Sequence, residues 1–424
     1  PDIFVVHNVS VSPLGDQPHA LLRNEKDGTF TDLTTAAGVQ GYNVSAQGFA
    51  AADYDNDGDV DMLVAMGNWH PLIYMNRGDG TFANKSRFSG MNGMASFARV
   101  GAFFDYNNDG YVDLFFFADD ETYLFENKHD RTFKDVSTSA NVRYSEEGAG
   151  SNGMAYADFE NDGDIDIFLP RATGTESITL INNGDRTFTK DNTIGLPTEG
   201  SYSGAIFFDY NNDGFFDMFA RGKEGQNSRI YQNEGDGTFR NVSQSVGLGL
   251  RIDRAPYGQG VSIGDYNNDG YIDFFVLCSN GRNMLFMNVG GEHFEEKASE
   301  ANLYDHRRHY WSAPVGDYNR DGYLDIFFAR NNVSPTIKTT LMKNKGGDNH
   351  WLHVKLVGRE SNRNGIGAQV RIYHGGTQQL RMVRGGDGYK MDTLPVEFGL
   401  GSRGLVDRLV VLWPSGIVQQ INSV

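Results

Sequence analysis

The chain has 424 residues, of which 37 are Lys or Arg and 55 are Asp or Glu, so its formal net charge is −18. This acidity excludes nucleic acid and anionic membrane surfaces as partners, because both attract basic proteins. No apolar run approaches the ~18 residues of a membrane-spanning helix, and a single cysteine, Cys278, allows no intrachain disulfide. We therefore expect no membrane insertion and a fold that relies on its core and on bound cations.

In chain order, the most prominent element is an acidic loop of nine residues, Asp-x-(Asp/Asn/Glu)-x-Asp-Gly-x-x-Asp, which recurs six times. The six copies hold 22 of the 55 acidic residues and begin 51 to 56 residues apart. A fixed period of this length is typical of repeat architectures. The loops begin at Asp53, Asp105, Asp158, Asp209, Asp265 and Asp317.

A second signal, Asn-x-Gly-Asp-Gly-Thr-Phe or a near variant, keeps the same period. Short apolar segments before and after each loop predict two strands, a third strand leads into the Asn, and Thr-Phe opens a fourth after a tight turn. Four strands per repeat indicate the blade of a β-propeller. The turns begin at Asn24, Asn76, Asn127, Asn182, Asn233 and Asn288, with a degenerate seventh at Asn344.

The first residues of the chain fall inside a blade. Residues 2–5 match 166–169, which are the last loop Asp and the strand after it. Seven such strands and seven turns predict an all-β fold with a seven-bladed propeller over residues 1–345, whose first blade is incomplete at the N-terminus. Its missing loop and inner strand either lie upstream or are replaced by a strand from elsewhere in the chain.

The period stops near residue 346. Apolar or alternating segments at 351–357, 368–373, 378–383 and 405–412 predict strands, so residues 346–424 form a small all-β C-terminal domain. No low-complexity linker precedes this segment. We therefore expect it to pack against the propeller.

The acidic loops are predicted to bind Ca²⁺. Side-chain oxygens at positions 1, 3, 5 and 9 and the carbonyl oxygen of position 7 form an all-oxygen donor set, and Gly at position 6 permits the sharp turn. An EF-hand is excluded because apolar residues stand at position 12, where that motif has a bidentate Glu. Arg320 occupies position 4 of the last loop and is expected to point outward.

This reasoning predicts about six structural calcium ions, and leaves open a seventh near Asp2. Extracellular sites of this kind bind at about 10⁻⁴ to 10⁻³ M. We therefore expect a secreted, periplasmic or otherwise extracellular protein. The predicted ligands are Asp53, Asp55, Asp57, Asp59 and Asp61; Asp105, Asn107, Asp109, Tyr111 and Asp113; Asp158, Glu160, Asp162, Asp164 and Asp166; Asp209, Asn211, Asp213, Phe215 and Asp217; Asp265, Asn267, Asp269, Tyr271 and Asp273; and Asp317, Asn319, Asp321, Tyr323 and Asp325.

The loops and turns resemble the FG-GAP and VCBS repeats of integrin-like propellers. The C-terminal segment resembles the ASPIC/UnbV domain, so the whole is similar to the cartilage acidic protein-like family. The chain departs from the family pattern at Lys390, Met391, Asp392 and Glu397. The ASPIC/UnbV resemblance rests on Ser-Asn-Arg-Asn-Gly-Ile-Gly-Ala at 361–368, Gly-Gly-Asp-Gly-Tyr at 385–389, Phe-Gly-Leu-Gly at 398–401 and Trp-Pro-Ser-Gly at 413–416.

The resemblance implies that the metal loops lie on one face of the disc and that the segments preceding each inner strand surround a central funnel on the other. Those segments are the least repetitive parts of the chain. Their carboxylate, imidazole, guanidinium and aromatic groups are candidates for binding or acid–base chemistry. The candidate catalytic residues are His306, His309, Tyr310, Glu146 and Asp253, and the candidate ligand-binding residues are Arg99, Asn152, Tyr202, Arg251, Arg254, Tyr257, Gln259, Arg307 and Trp311.

Two functions from different classes fit these residues. One is a secreted calcium-binding propeller that binds a carbohydrate, a small molecule or an extracellular protein at the funnel face. The alternative is a calcium-dependent, cofactor-free enzyme, a cyclase, isomerase or lyase of the kind found in natural-product biosynthesis. Fold alone does not decide between them.

Overall fold

The computed structural model describes residues 2–6, 19–41, 46–67, 70–91, 94, 98–118, 121–144, 153–171, 176–223, 226–248, 261–278, 282–304, 310–330, 339–386 and 394–424. Nearly all regular structure in these residues is β. The helical elements described are one turn of α-helix, α1 (Thr34–Ala37), and a 3₁₀ turn at Ser86–Phe88. The predicted all-β class is therefore confirmed.

Seven antiparallel sheets follow one another along the chain and form the blades of a propeller. Blade 1 has three described strands, and blades 2 and 3 have four each, in sequential order. The strands of these blades are β1 (Ile3–Val5), β2 (Ala20–Asn24) and β3 (Phe30–Asp32); β4 (Ala46–Ala52), β5 (Asp61–Met66), β6 (Leu72–Asn76) and β7 (Phe82–Asn84); and β8 (Ala98–Phe104), β9 (Asp113–Ala118), β10 (Thr122–Asn127) and β11 (Phe133–Asp135).

Blades 4 to 7 continue the pattern, except that the first strand of blade 7 is divided into β24 and β25, which both pair with β26. The predicted count of seven blades is confirmed. Their strands are β12 (Ala155–Ala157), β13 (Asp166–Leu169), β14 (Ile178–Asn182) and β15 (Phe188–Lys190); β16 (Tyr202–Phe208), β17 (Asp217–Gly222), β18 (Arg229–Asn233) and β19 (Phe239–Asn241); β20 (Val261–Gly264), β21 (Asp273–Val276), β22 (Met284–Val289) and β23 (His293–Glu296); and β24 (Tyr310–Ser312), β25 (Val315–Gly316), β26 (Asp325–Arg330) and β27 (Thr340–Met342).

The second strand of each blade is the most buried. Every residue of β5, β9, β13, β17 and β21 is buried, which explains why the residues after the first Asp are mostly apolar, with the buried Arg221 of β17 as an exception. The fourth strands are short and largely exposed at their ends, as in β11 and β19. Each blade therefore packs its middle strands between two neighbours and leaves its outer edge in solvent.

The ring closes between blades 1 and 7. The Asn24 side chain of blade 1 donates a hydrogen bond to the Tyr318 carbonyl of blade 7 (2.8 Å), and the Phe30 and Tyr318 rings pack with centroids 6.2 Å apart. Asp2 accepts a hydrogen bond from the Asn24 amide (2.9 Å), as the last loop Asp does in the other blades. The N-terminal residues thus occupy the predicted register within blade 1.

The C-terminal β domain consists of two small sheets. One pairs β28 with β31, and the other has the order β30-β29-β32-β33. Its apolar residues, including Ile366, Val370 and Phe398, belong to the same continuous core as blades 2 to 5. The strands are β28 (His350–Val354), β29 (Gln369–His374), β30 (Thr377–Met382), β31 (Val396–Gly401), β32 (Arg408–Leu412) and β33 (Val418–Asn422).

Residues 384–386 of this domain lie against the inner strands of blades 3, 4 and 5. Phe103 and Gly385 form a β-bridge, the Gly385 amide donates to the Tyr156 hydroxyl (3.0 Å), and Arg384 donates to the Phe207 carbonyl. Beside this segment, apolar side chains of blades 5 to 7 and of the C-terminal domain line a cavity of ≈ 100 Å³ together with the charged groups of Asp265, Arg381 and Glu397. The C-terminal domain therefore reaches into the hub of the propeller.

Replacing Asn182 with Ala tests the amide links between blades. Its buried side chain donates to the Tyr106 carbonyl of blade 3 (2.9 Å) and to the Ile165 carbonyl of its own blade (3.4 Å). Because both carbonyls would lose a buried donor, we expect stability to fall by about 2 kcal/mol in thermal unfolding. Asn183→Ala, an exposed neighbour, is the control. Equal melting temperatures for the two variants would contradict this account.

Candidate metal centres

Each acidic loop is shaped by its first carboxylate. In the blade 3 loop (105–113), Asp105 accepts hydrogen bonds from the amides of Asp109 (3.0 Å) and Gly110 (2.9 Å). Asn108 at position 4 and Gly110 at position 6 have positive φ angles of 55° and 90°, which favour Asn and Gly. The other five loops repeat this pattern, so the backbone curls around the side-chain oxygens.

The ninth position ties the loop to the turn of the same blade. Asp113 accepts from the Tyr106 amide (3.1 Å) with one carboxylate oxygen and from the Asn127 amide (2.8 Å) with the other. The same pair of bonds recurs in the other five loops. Since each carboxylate oxygen can accept more than one bond, these oxygens can also serve as metal ligands.

Positions 1 and 9 are buried in all six loops, which places twelve carboxyl groups out of solvent. Burial raises the pKa of Asp61 to about 8 and that of Asp105 to about 7, and it holds the pKa of Asp113 and Asp217 well above the usual range. Buried carboxylates are costly unless a cation or donors compensate them. A bound cation would therefore lower the free energy of the folded state most strongly through the carboxylates at positions 1 and 9.

The blade 2 loop (53–61) has the densest cluster of acidic groups. Oxygens of Asp53, Asp55 and Asp61 all lie within 4.8 Å of one another. Four of the other loops have Asn at position 3, and the blade 4 loop has Glu160. An all-oxygen set of this spacing fits a hard divalent cation and offers no soft ligand for zinc or copper.

The C-terminal domain covers the loop face. Gln369 donates to Asp158 of the blade 4 loop (2.7 Å), the side-chain oxygen of Asn364 accepts from the Asp53 amide (2.6 Å), and the Gly401 amide donates to the Asn268 carbonyl (2.8 Å). These contacts reach loops of blades 2, 4 and 6. The C-terminal domain thus lies against these loops, while Asp57 and Gly58 of the blade 2 loop stay exposed.

One residue of that domain brings positive charge to the loops. The Arg381 guanidinium is buried against the Phe398 ring (5.2 Å to the centroid) and donates to the Gln379 side-chain oxygen (3.1 Å). Burial raises the pKa of Asp209 and Asp265, and Arg381 acts in the opposite direction on both. Arg381 therefore offsets part of the negative charge of blades 5 and 6.

The fourth loop position has a role that the sequence did not reveal. The side chains of Asn56, Asn108, Asn212 and Asn268 donate to the position 6 carbonyl of the next loop, at 2.8 to 3.4 Å. The recurrence of Asn there was visible in the sequence, but its partner belongs to another repeat. Arg320 is exposed, as predicted, with a φ of 62°.

Position 2 and the turns supply a second link between blades. Each turn Asn from blade 3 onward donates to the position 2 carbonyl of the preceding blade, as Asn127 does to Tyr54 (2.8 Å). The aromatic ring at position 2 packs on the Phe of the next turn, as in Tyr54 with Phe133 (5.6 Å between centroids). The acidic loops therefore lie where neighbouring blades are joined.

The structure describes few of the predicted funnel residues. Tyr202 and Tyr310 are buried, the latter against Phe328, Arg99 is half-buried in β8, and Trp311 lies in β24. The two tyrosines are packed in the core, which leaves little of their side chains for a ligand. The remaining candidates, which lie outside the described residues, are Glu146, Asn152, Arg251, Asp253, Arg254, Tyr257, Gln259, His306, Arg307 and His309.

Family comparisons agree with this geometry. The model of the FG-GAP-like repeat matches residues 1–64, 53–116, 105–169, 209–276 and 265–328, which together exceed half of the chain. The chain belongs to the FG-GAP-like repeat family. A second model, ASPIC and UnbV, matches residues 358–424 of this FG-GAP-like protein. Both predicted resemblances are therefore confirmed.

Two curated relatives are cartilage acidic protein 1 of Xenopus tropicalis and of Homo sapiens. The first is 25% identical over 282 residues, covering 50% of this chain and 43% of the relative. The second is 24% identical over 262 residues, covering 47% and 39%. The FG-GAP-like chain thus spans less than half the length of these relatives.

Two solved lectin structures share the propeller fold. An Agrocybe aegerita lectin that recognises non-reducing terminal N-acetylglucosamine matches with a TM-score of 0.53 and 17% identity, covering 78% of this chain and 89% of that one. The BP39L lectin of Burkholderia pseudomallei matches with a TM-score of 0.50 and 10% identity, covering 81% and 94%. At these identities the likeness concerns fold alone.

Among the described helices, none has the length and apolarity to span a bilayer.

The raised pKa of the loop carboxyls predicts how stability depends on pH without metal. The pKa of Asp61 is about 8 in the folded chain and near 3.8 when unfolded, so the folded state binds more protons between these values. In EGTA, the melting temperature should therefore rise as pH falls from 7.5 to 5.5. Differential scanning fluorimetry measures this, and a lower melting temperature at pH 5.5 would contradict it.

Proposed function

We propose that this chain is an extracellular calcium-binding propeller whose loops hold Ca²⁺ and whose opposite face binds a ligand. The observation that carries the proposal is the set of twelve buried carboxyl groups at loop positions 1 and 9. Bound Ca²⁺ would supply the positive charge that these groups lack. Asp53, Asp55, Asp57 and Asp61 would hold it in blade 2, with the Asp59 carbonyl as a fifth donor.

The choice of calcium rests on the donor chemistry. The loops offer carboxylate, amide and carbonyl oxygens, which are ligands for hard cations, and Ca²⁺ tolerates irregular coordination better than Mg²⁺ does. Sites of the extracellular type bind at about 10⁻⁴ to 10⁻³ M, a range that cytosolic calcium does not reach. This supports a secreted or periplasmic setting and one ion for each of the six loops, with Asp2 marking a seventh position.

The position of the C-terminal domain indicates which face of the propeller is available to bind a ligand. Its described contacts fall on the loops and on the inner strands of the hub, so the face opposite the loops is the one left for a partner. We place the division between the two parts at residues 345 and 346, because β27 still pairs with β26 while β28 pairs with β31. We propose a carbohydrate as the ligand, which the propeller fold shared with lectins supports.

A calcium titration tests the metal assignment. Millimolar calcium should raise the melting temperature of the wild type above its value in EGTA, since a ligand at ten times its Kd adds about 1.4 kcal/mol per site and there are six proposed sites. Asp113→Asn removes a buried loop charge and should reduce this increase. Asp348→Asn, an exposed change of equal charge outside the loops, should not. If EGTA leaves the melting temperature of the wild type unchanged, the assignment of calcium to the loops is wrong.

Glycan-array screening of the calcium-loaded chain tests the ligand proposal. We expect a hit whose crystallographic density lies on the face opposite the loops. Arg99→Ala, in the inner strand of blade 3, should weaken binding about tenfold, the loss expected for one hydrogen bond from its guanidinium to the glycan. Arg359→Ala, exposed in the C-terminal domain, should leave binding unchanged. Density on the loop face, or a complete lack of hits, would reject a carbohydrate ligand there.

A further inference from the structure

The turn of blade 3 differs from those of the other blades. It reads Asn-Lys-His-Asp-Arg-Thr-Phe from Asn127 to Phe133, where blades 2 and 5 have Gly at the third and fifth positions. His129 and Arg131 nevertheless adopt the left-handed backbone region, with φ angles of 61° and 69°. Among the described turns, this is the one with non-glycine residues in that region at both positions, and the conformation is unfavourable for such residues.

These two side chains lie over two neighbouring acidic loops. His129 stacks on Tyr111 (3.9 Å between centroids) and approaches Asp109 of its own blade (3.2 Å). Arg131 reaches back to the blade 2 loop, where its Nε lies 2.7 Å from the Asp55 carboxylate and its Nη2 3.6 Å from Asp57. The turn is thus anchored on one loop and places a cation on the other.

The blade 2 loop is also the loop whose acidic side chains lie closest together. Asp55 is the sole Asp at position 3 among the six loops, and its oxygen belongs to the cluster within 4.8 Å formed with Asp53 and Asp61. Asp55 is only 3% exposed, whereas Arg131 is 53% exposed. The guanidinium can therefore leave for solvent without moving the carboxylate that it neutralises.

From this geometry we propose that Arg131 is a built-in competitor for the cation of the blade 2 loop, which sets the affinity of that site below what its ligands alone would give. The inference rests on the proposed calcium function. With the loop empty of metal, the Arg131 side chain compensates Asp55 and Asp57. When a divalent cation enters, the guanidinium must give up the Asp55 oxygen. The free energy of the contact between Arg131 and Asp55 is therefore subtracted from the free energy of cation binding.

Arg186 provides a matched control. It occupies the same fifth turn position in blade 4, with a φ of 72°, and is 58% exposed. Its guanidinium lies 3.5 Å from Glu126, a strand residue of blade 3, instead of pairing with a loop ligand. Arg131→Gln and Arg186→Gln therefore remove the same charge from the same kind of turn, and only the first removes it from a proposed metal site.

The test compares the wild type, the two Gln variants and Asp55→Asn in calorimetric calcium titrations and in melting curves. In EGTA, Arg131→Gln should melt about 1–2 °C below the wild type, because Asp55 loses its partner. In saturating calcium this deficit should vanish. One site should bind about fivefold more tightly, the factor expected for releasing a half-exposed ion pair. Arg186→Gln loses its own ion pair with Glu126, so any drop in its melting temperature should be equal with and without calcium, and its calcium affinity should match that of the wild type.

A double variant isolates the interaction. In the Asp55→Asn background, Arg131→Gln should raise calcium affinity by much less than it does in the wild type, since the 2.7 Å pair is gone and only the 3.6 Å contact with Asp57 remains. Affinity that is unchanged in Arg131→Gln, or raised equally in Arg186→Gln, would overturn the inference while the wild type still binds calcium. A wild type that binds no calcium would overturn both the inference and the proposed function. A crystal structure with calcium should show the Arg131 guanidinium more than 4 Å from Asp55.

Discussion

The architecture depends on one buried carboxylate that recurs in each of blades 2 to 7. The Asp at the ninth loop position accepts one backbone amide from the start of its loop and another from the turn of its blade, so it fixes the loop, the second strand and the hairpin in one arrangement. Burial makes these bonds strong and makes an uncompensated charge costly. The same residue therefore fixes the geometry of the blade and carries the buried negative charge that a cation would compensate.

The links between blades start from the same few positions. Turn amides reach back to the preceding loop, and the position 4 amides of four loops reach forward to the next, so neighbouring blades are joined by hydrogen bonds in both directions. Asn24 and Tyr318 complete the circle with the same chemistry. In a repeat protein each unit contacts mainly its neighbours, so stability is shared along the ring instead of being concentrated in one core.

Much of this could be predicted from the sequence, because the deciding features are local. The loop, the turn and the apolar runs recur at a fixed period, and the N-terminal strand could be placed by its match to residues 166–169. The contacts between repeats could not be predicted, since Asn108 and Gly163, or Gln369 and Asp158, are brought together only by the fold. For the same reason, the cover over the loops and the pairing of Arg131 with Asp55 required the structure. The funnel residues stay predictions, because most lie outside the described chain.

Residues 384–386 lie at one end of the propeller axis, which is the end that carries the acidic loops. Because Arg384 and Gly385 bond to inner strands of blades 3, 4 and 5, main chain crosses the hub near its loop end. The C-terminal domain is therefore held at the centre of the propeller as well as over its loops. Movement of this domain away from the disc would break hydrogen bonds at both places, so the domain is coupled mechanically to the inner strands.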